Sequence, residues 1–363
     1  MEGTFVWFLV SPFRTFLRFY TLQSKDSWRL SVMLSVFVAV RSVLLADGVL
    51  GPLDSGIARN GEKLSELRVK AESGDADAQE GLAYRYLSFG TTTRNYDEAE
   101  KWLTRAASAG RPYAQHNLAW VLMEVRRDPG RISEAIELFR KAAEHGVAPA
   151  QFNLGLIYQE GRGIAKDLTE AIKWFKIAAS SGHAQSMTAL GSIYAKGEGV
   201  DIDYGTAMNL FMKAAELRDS LAMANLGLIY RKGLGIPVSR EQSVKWYTEA
   251  AKLGLAEAQF TIGVLYATGD GIPKNEVLAI ECYENAAKQG HARAQFNLGW
   301  ILVNRKMSVR DGIDGAAWFL VSSRSGLDEA KKVADSLRGG LGAAEFSRAE
   351  RRSFELVAIE KKQ

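Results

Sequence analysis

Few residues of this sequence could support acid–base, nucleophilic or metal chemistry. The chain has one cysteine, Cys282, and four histidines, which are His116, His145, His183 and His291. A thiolate metal site needs several cysteines, and a cysteine nucleophile needs a base beside it. Three of the histidines lie next to glycines that recur along the chain, so their spacing is not that of metal ligands. We therefore predict no catalytic residue, no metal site and no cofactor, and expect that the protein is not an enzyme.

Pairs of glycines in the pattern G-x-G are a second candidate, because such pairs can hold phosphate groups. They occur at Gly161 and Gly163, Gly197 and Gly199, Gly233 and Gly235, and Gly269 and Gly271. A dinucleotide-binding motif also needs a preceding strand and a third glycine, and neither accompanies these pairs. Since the pairs recur every 36 residues, we interpret them as turns between helices.

Four asparagines at one position of a repeating pattern are the candidate partner-binding residues. They are Asn117, Asn153, Asn225 and Asn297. Asparagine is a mediocre helix former, so its recurrence within a helix requires a reason. One reason is hydrogen bonding to the adjacent repeat. The other is a row of amides along a concave groove, where they would hold the backbone or a carboxylate of a bound peptide.

The chain repeats with a period of 36 residues from about residue 70. One position per repeat, here called the glycine position, is occupied by Gly74, Gly110, Gly146, Gly182, Arg218, Gly254, Gly290 and Gly326. An aliphatic residue follows eight residues later, and an alanine or glycine follows nine residues later. Seven repeats therefore run without an insertion or deletion, which is typical of a helical solenoid.

Each repeat is predicted to form two helices. In the third repeat, residues 150–161 and 168–182 both carry apolar residues at helical spacing. The glycine position should end the second helix in the left-handed conformation, so Arg218 should cost about 1 kcal/mol there. A row of large side chains in the second helices is expected in the core. It comprises Trp102, Leu138, Trp174, Leu210, Trp246, Cys282 and Trp318.

The repeat resembles the Sel-one-like repeat family, which is related to the tetratricopeptide repeat. The resemblance is carried by segments such as APAQFNLGLIYQEGRGIAKDLTEAIKWFKIAASSG (148–182) and covers residues 71–326. It implies an all-α fold, a right-handed α-α superhelical solenoid of seven helix pairs, and a role as an adaptor or scaffold. Residues 342–360 resemble the helical end-cap of bacterial members. Segments 88–96, 118–131 and 298–312 lack the G-x-G turn, so we expect local differences in shape there.

The sequence divides into four parts. Residues 1–50 form a basic and aromatic leader, and 51–70 form a linker or an N-terminal cap helix. Residues 71–326 form the solenoid, and 327–363 form C-terminal capping helices.

The leader is predicted to associate with a membrane. Its run from about residue 30 to 46 is apolar apart from one arginine, and four basic residues precede it. An uncleaved single-pass anchor, a cleaved secretory signal and an amphipathic surface helix all fit this pattern. By the positive-inside rule, the repeats would lie outside the cytoplasm, anchored to the inner membrane, periplasmic or secreted.

The charge distribution argues against nucleic-acid binding. The net charge is +4, and residues 1–50, with five basic and three acidic residues, account for half of it. The remaining +2 is too small for a nucleic-acid-binding surface.

Taken together, the repeat, the leader and the lack of candidate catalytic residues predict a noncatalytic protein–protein interaction scaffold at the cell envelope, which binds a protein or peptide on its concave face. Alternatives are an envelope regulator that restrains a membrane sensor or assembles a secretion or polysaccharide complex, and a cell-wall-related hydrolase.

Overall fold

The described part of the chain consists of helices and short connections. The computed structural model describes residues 64–87, 95–305 and 309–360, and it contains no strand within them. These residues belong to one unit, Leu44–Gln363. The leader and its apolar run lie outside the described residues. No helix within the described ranges is both long and apolar enough to cross a membrane.

Seven helix pairs follow an initial helix, α1 (Leu64–Glu72). The first helices of the pairs are α2 (Ala76–Leu87), α4 (Pro112–Trp120), α6 (Ala148–Glu160), α8 (Ala184–Lys196), α10 (Ser220–Lys232), α12 (Ala256–Thr268) and α14 (Ala292–Arg305). The second helices are α3 (Tyr96–Ser108), α5 (Ile132–Glu144), α7 (Leu168–Ser180), α9 (Tyr204–Glu216), α11 (Arg240–Lys252), α13 (Glu276–Lys288) and α15 (Val309–Arg324). Each helix packs against the next one along the chain, within pairs and between them. The predicted all-α solenoid of seven pairs is confirmed.

A close contact between a glycine and a ring sets the distance between the two helices of a pair. The contacts are Gly155 with Phe175, Gly191 with Phe211, Gly227 with Tyr247, Gly263 with Tyr283, and Gly299 with Phe319. A Cβ at Gly191 would lie 2.8 Å from Cε1 of Phe211, a ring that is 1% exposed. A methyl group at Gly191 would therefore displace the ring or push the helices apart. The equivalent residues are Ala83 and Leu103 in the first repeat and Ala119 and Phe139 in the second, and all four are buried.

A recurring glutamine ties each repeat to the one before it. Gln79, Gln115, Gln151, Gln259 and Gln295 donate from Nε2 to a main-chain carbonyl eight residues earlier, at 3.0–3.4 Å. That carbonyl is in the last turn of the preceding helix, where carbonyls lack partners within the helix. The glutamine therefore stabilises the junction between repeats. Met187 and Met223 occupy the same position in the fourth and fifth repeats and cannot donate this bond.

The glycine position adopts the left-handed conformation in every repeat. Gly182, for example, has φ 83°, and Arg218 has φ 64°. Arg218 therefore has the left-handed backbone expected of the glycine position, and its cost of about 1 kcal/mol stays a prediction. The turns inside the repeats are also left-handed where the G-x-G pattern is present, as at Gly161, which ends α6 with φ 74°.

The second repeat differs in shape where the G-x-G turn is missing, as predicted for 118–131. Its first helix continues as a π-helix, Val121–Arg126, and Arg127 follows in the left-handed conformation. A 3-10 turn, Pro129–Arg131, leads into α5. In the other two segments without the pattern, residues 88–94 and 306–308 lie outside the described residues.

The tryptophan row of the second helices is less buried than expected. Trp102 is 1% exposed, but Trp174, Trp246 and Trp318 are half-buried, and so is Cys282. The core position is the following residue, which includes Phe139, Phe175 and Phe211. The reason is that this following residue, and not the tryptophan, lies against the small residue of the first helix.

Two helices, α16 (Asp328–Leu341) and α17 (Ala343–Glu360), follow the last pair. α17 packs against α15 and also reaches α13. Arg352 Nε lies 3.2 Å from Asp314 Oδ1, and Arg324 donates to Ser353 Oγ at 2.5 Å. These contacts with α15 cover the end of the solenoid. Both helices lie within the range 327–363 that the sequence assigns to capping helices.

The glycine–ring contact yields a stability prediction. Gly191→Ala should lower the free energy of unfolding by about 1–3 kcal/mol, because the new methyl group overlaps the buried ring of Phe211. Urea unfolding followed by circular dichroism measures the change.

A matched control is Gly339→Ala, in the last turn of α16, where a Cβ would meet nothing within 4 Å. This variant should be neutral or stabilised by up to about 1 kcal/mol, since alanine is the better helix former. Combining Gly191→Ala with Phe211→Leu recreates the alanine–leucine pair of the first repeat and should cost less than the sum of the single changes. Additive losses would show that the ring contact does not set the helix spacing.

Candidate partner-binding face

The first helices of the pairs share a face that is less buried than the side packed in the core, although some of its residues, such as Leu221 and Asn225, are buried. It consists of the side chains 3, 7, 10 and 14 residues after the glycine position, a spacing that places them on one side of a helix. In α6 these residues are Pro149, Asn153, Leu156 and Glu160, none of which is fully buried. We call this surface the first-helix face.

The predicted asparagines occupy the second row of this face, but not equally. Asn153 and Asn297 are half-buried, whereas Asn117 and Asn225 are 3% and 5% exposed. The Asn117 Oδ1 and Asn225 Nδ2 atoms are inaccessible and have no hydrogen-bond partner in the described part of the chain. A buried polar atom without a partner costs about 1–3 kcal/mol. These amides therefore retain unused hydrogen-bonding capacity, and their role in partner binding stays a prediction.

The third row of the face is apolar and was not identified from the sequence. Its members are Tyr84, Trp120, Leu156, Ser192, Leu228, Val264 and Trp300. All except Ser192 are large and half-buried. Ser192 instead donates its hydroxyl to the Thr188 carbonyl at 2.9 Å. The signal for this row is its fixed distance from the glycine position, since the residue type varies from repeat to repeat.

The fourth row carries charges that change sign along the solenoid. Glu124 and Glu160 belong to the second and third repeats, and Lys196 and Lys232 belong to the fourth and fifth. Glu124 forms an ion pair with Arg162, in which Oε1 of the glutamate lies 2.7 Å from Nη2 of the arginine. Lys196 pairs with Glu198 at 2.9 Å, and burial lowers the pKa of the lysine. The row is thus acidic in the second and third repeats and basic in the fourth and fifth.

Two of the histidines cap first helices, a role that was not predicted from the sequence. His183 Nδ1 accepts from the Ser186 backbone N–H at 3.3 Å, and His291 Nδ1 accepts from that of Ala294 at 3.1 Å. Asp219 fills the equivalent place in the fifth repeat, where it accepts from Ala222 N–H. Burial lowers the pKa of His183 to about 4, so the ring stays neutral and keeps its accepting nitrogen.

The remaining chemistry-bearing residues do not converge. His116 is buried against Phe139, and His145 is exposed. Burial raises the pKa of the Cys282 thiol to about 11, so this thiol is protonated at neutral pH and a poor nucleophile. No group of three or more histidine, cysteine, aspartate or glutamate side chains suited to a metal ion exists among the residues described.

Comparison with known proteins identifies the repeat. The sequence model described as the Sel1 repeat matches seven consecutive segments, at residues 76–110, 112–147, 148–183, 184–219, 220–255, 256–291 and 292–327. No curated protein matches the chain.

Two solved structures are similar over most of the chain. One is c5321, a protective antigen present in uropathogenic Escherichia coli strains that displays an SLR fold. It is 28% identical, the match covers 83% of this chain and 72% of that one, and the TM-score is 0.58. The other is a Sel1 repeat protein from Oxalobacter formigenes, 30% identical over 75% of this chain and 100% of that one, also with a TM-score of 0.58.

The cap formed by His183 yields a pH prediction. The unfolded chain takes up a proton near pH 6.5, whereas the folded ring does so only near pH 4. The native state is therefore destabilised as the pH falls from about 6.5 to about 4, by about 1–2 kcal/mol at pH 5. Asparagine also caps helices but does not titrate. His183→Asn should accordingly lose less stability than the parent chain between pH 7 and pH 5, measured by urea unfolding at each pH.

The control is His145→Asn, which changes an exposed histidine at another junction. It should follow the pH dependence of the parent chain. If His183→Asn also follows the parent chain, the buried cap is not the source of the acid sensitivity.

Proposed function

This chain belongs to the Sel1 repeat family, whose members generally mediate protein–protein interactions, and on that premise we propose that it is a noncatalytic scaffold. Its first-helix face holds a protein or peptide partner. The leader, in this proposal, displays the solenoid at the cell envelope.

The observation that carries the proposal is the row of asparagine amides on the first-helix face, which recurs in four repeats. Asn117 and Asn225 are buried, whereas Asn153 and Asn297 are half-buried. The two half-buried amides can therefore contact a partner on this face. A bound polypeptide offers them hydrogen bonds, because its backbone carries one donor and one acceptor at nearly every residue.

The packing of the solenoid supports binding to a preformed surface. Glycine–ring contacts hold the two helices together in the third to seventh pairs, and glutamine bonds tie five of the junctions between repeats. The rows of the face are therefore largely formed before a partner arrives. A preformed surface avoids the entropy cost of ordering a flexible one, and more of the contact energy then becomes affinity.

The binding proposal is tested with a double variant of the full chain. Asn153→Ala with Asn297→Ala removes the two accessible amides of the row and should weaken capture of a partner from cross-linked membranes, identified by mass spectrometry. The melting temperature should stay within about 2 °C of the parent chain, because these side chains are only half-buried.

The matched control is Asn209→Ala with Asn285→Ala, two exposed asparagines on second helices. It should capture the same proteins as the parent chain. Equal capture by both double variants would show that the amide row is not the binding site. A lower melting temperature with unchanged capture would assign the row a structural role.

The envelope proposal rests on the leader sequence. Its apolar run of about 17 residues has one charge and follows four basic residues, a pattern that favours an anchor or a secretory signal. We expect the full chain in the membrane or secreted fraction, and N-terminal sequencing of the mature protein distinguishes the two. Recovery in the cytosolic fraction would contradict the proposal.

A further inference from the structure

Two of the described residues other than glycine have left-handed backbone, but only one of them forms a side-chain hydrogen bond. Arg127 has φ 51° and Arg218 has φ 64°. Arg127 Nε donates to the Glu124 carbonyl at 3.0 Å, so its side chain stabilises the turn in which it lies. The Arg218 guanidinium makes no hydrogen bond, ion pair or ring contact with the residues that the structure describes. The strain at Arg218 is therefore not offset by such a contact.

Glycine suits this position better than arginine does. It occupies the seven equivalent positions of the array, because left-handed backbone is unfavourable for a residue with a Cβ. Strained residues persist where other interactions compensate for the strain, and they cluster at binding sites. A guanidinium has five donors and a permanent charge, which a carboxylate matches. A carboxylate from outside this copy of the chain would therefore account for Arg218.

An exposed leucine precedes this arginine. Leu217 is 53% exposed, whereas serine, alanine, histidine or glutamine precedes the glycine position in six of its eight occurrences. Asp219, on the other side, accepts from the Ala222 N–H at 2.7 Å and caps α10. Glu216 forms no ion pair with Arg218. Leu217 and Arg218, here called the glycine-edge patch, thus present an aliphatic side chain beside an unpaired cation.

The other end of α9 carries exposed aliphatic side chains. Ile202, in the turn before α9, is 57% exposed, and Val238, at the equivalent position of the next repeat, is 54% exposed. A Cβ at Gly197 would meet Ile202 Cγ1 at 2.8 Å. A Cβ at Gly233 would meet Val238 Cγ2 at the same distance. Each side chain therefore lies over the first glycine of its own turn, in the same placement.

These two turns belong to one continuous surface. A Cβ at Gly235, in the second turn, would lie 2.7 Å from Cβ of Tyr204, which begins α9 two residues after Ile202. The Asp201 side chain is exposed, and its carboxylate makes no hydrogen bond or ion pair in the described part of the chain. Asp201, Ile202 and Val238, here called the turn-edge patch, thus present aliphatic side chains beside an unpaired anion.

The charges at the two ends of α9 are complementary. The turn before α9 carries Glu198 and Asp203 as well as Asp201. Of these three, Glu198 is the one that forms an ion pair, with Lys196 at 2.9 Å. Asp203 accepts from the Thr206 N–H at 2.9 Å and caps α9. The turn edge of the fourth repeat is therefore acidic, which favours a cation such as the unpaired guanidinium at the other end of the helix.

We propose that copies of this chain associate edge to edge, with the glycine-edge patch of one copy on the turn-edge patch of another. Arg218 then pairs with Asp201 of the second copy, and Leu217 packs against the aliphatic side chains beside it. The patches lie at opposite ends of α9, a helix of 13 residues that is about 20 Å long. Each copy keeps one patch open, so the association is heterologous and extends to a third copy unless a ring closes. Neither patch belongs to the first-helix face, so the inference does not depend on the proposed function.

Sedimentation velocity of the full chain in detergent tests the association. Because the patches are small, we expect a dissociation constant of about 10–100 μM and a mean mass that rises with concentration. Arg218→Gly should weaken the association about fivefold, as for loss of an exposed ion pair. It should not lower the melting temperature, because glycine relieves the strain. The matched control is Arg127→Gly, which removes the other strained arginine and should leave the association unchanged.

An exchange of charges identifies the pair. Arg218→Asp should weaken the association about tenfold, because two carboxylates then face each other, and Asp201→Arg should do the same with two arginines. Aspartate tolerates left-handed backbone, and thermal unfolding confirms that each variant is folded. Both substitutions in one chain should restore the association to within about twofold of the parent chain.

Cross-linking locates the contact. In a Cys282→Ser background, a chain with Leu217→Cys is mixed with a differently tagged chain that carries Ile202→Cys, and a short bismaleimide is added. The mixture should give a cross-linked product of the two tags, and either chain alone should give much less, because the contact is heterologous. In the control, Ile177→Cys, at an exposed position of α7, replaces Leu217→Cys and should give little product.

A chain that sediments as a monomer up to about 200 μM would overturn the inference. So would association that is unchanged by Arg218→Gly and Asp201→Arg, since another surface would then hold the copies together. Failure of the charge exchange to restore the association would likewise exclude the pairing of Arg218 with Asp201. The capture experiment on the amide row decides the proposed function separately from all of these outcomes.

Discussion

The contact between a glycine of the first helix and a ring of the second helix is the constraint on which the solenoid depends. A Cβ at Gly191 or Gly227 would come within 2.8 Å of the ring, so the close approach of these helices requires that the side chain be absent. In the third to seventh repeats this contact fixes which side of the first helix turns inward. The opposite side, with its amide, apolar and charged rows, is thereby presented in the same orientation in each repeat. Packing in the core thus positions the face proposed to bind partners.

Much of the fold could be predicted from the sequence because several of its requirements are local. Left-handed backbone favours glycine, and the 36-residue recurrence of that glycine gives the number and register of the pairs, with Arg218 as the one exception. The burial of the tryptophan row was not predictable in the same way. Trp174 and Phe175 are adjacent and both apolar, and only the contact of Phe175 with Gly155 shows which of them enters the core.

The candidate site was predictable in part. The recurrence of asparagine identified one row of the first helices. The sequence does not show that Asn117 and Asn225 are buried while Asn153 is half-buried. This difference depends on the packing around each side chain. The apolar row was missed because tyrosine, tryptophan, leucine, serine and valine all occur in it. The row has a fixed distance from the glycine position, but only the three-dimensional arrangement shows that this position lies beside the amide row on one face.

The missing glutamine bonds have a mechanical consequence. Met187 and Met223 leave the junctions before the fourth and fifth repeats without the side-chain tie found at five other positions, and the strained Arg218 lies at the second of these junctions. In an array where each repeat contacts only its neighbours, stability is approximately a sum of terms for the repeats and for the junctions between them. These two junctions are therefore expected to separate first when the solenoid is bent or pulled.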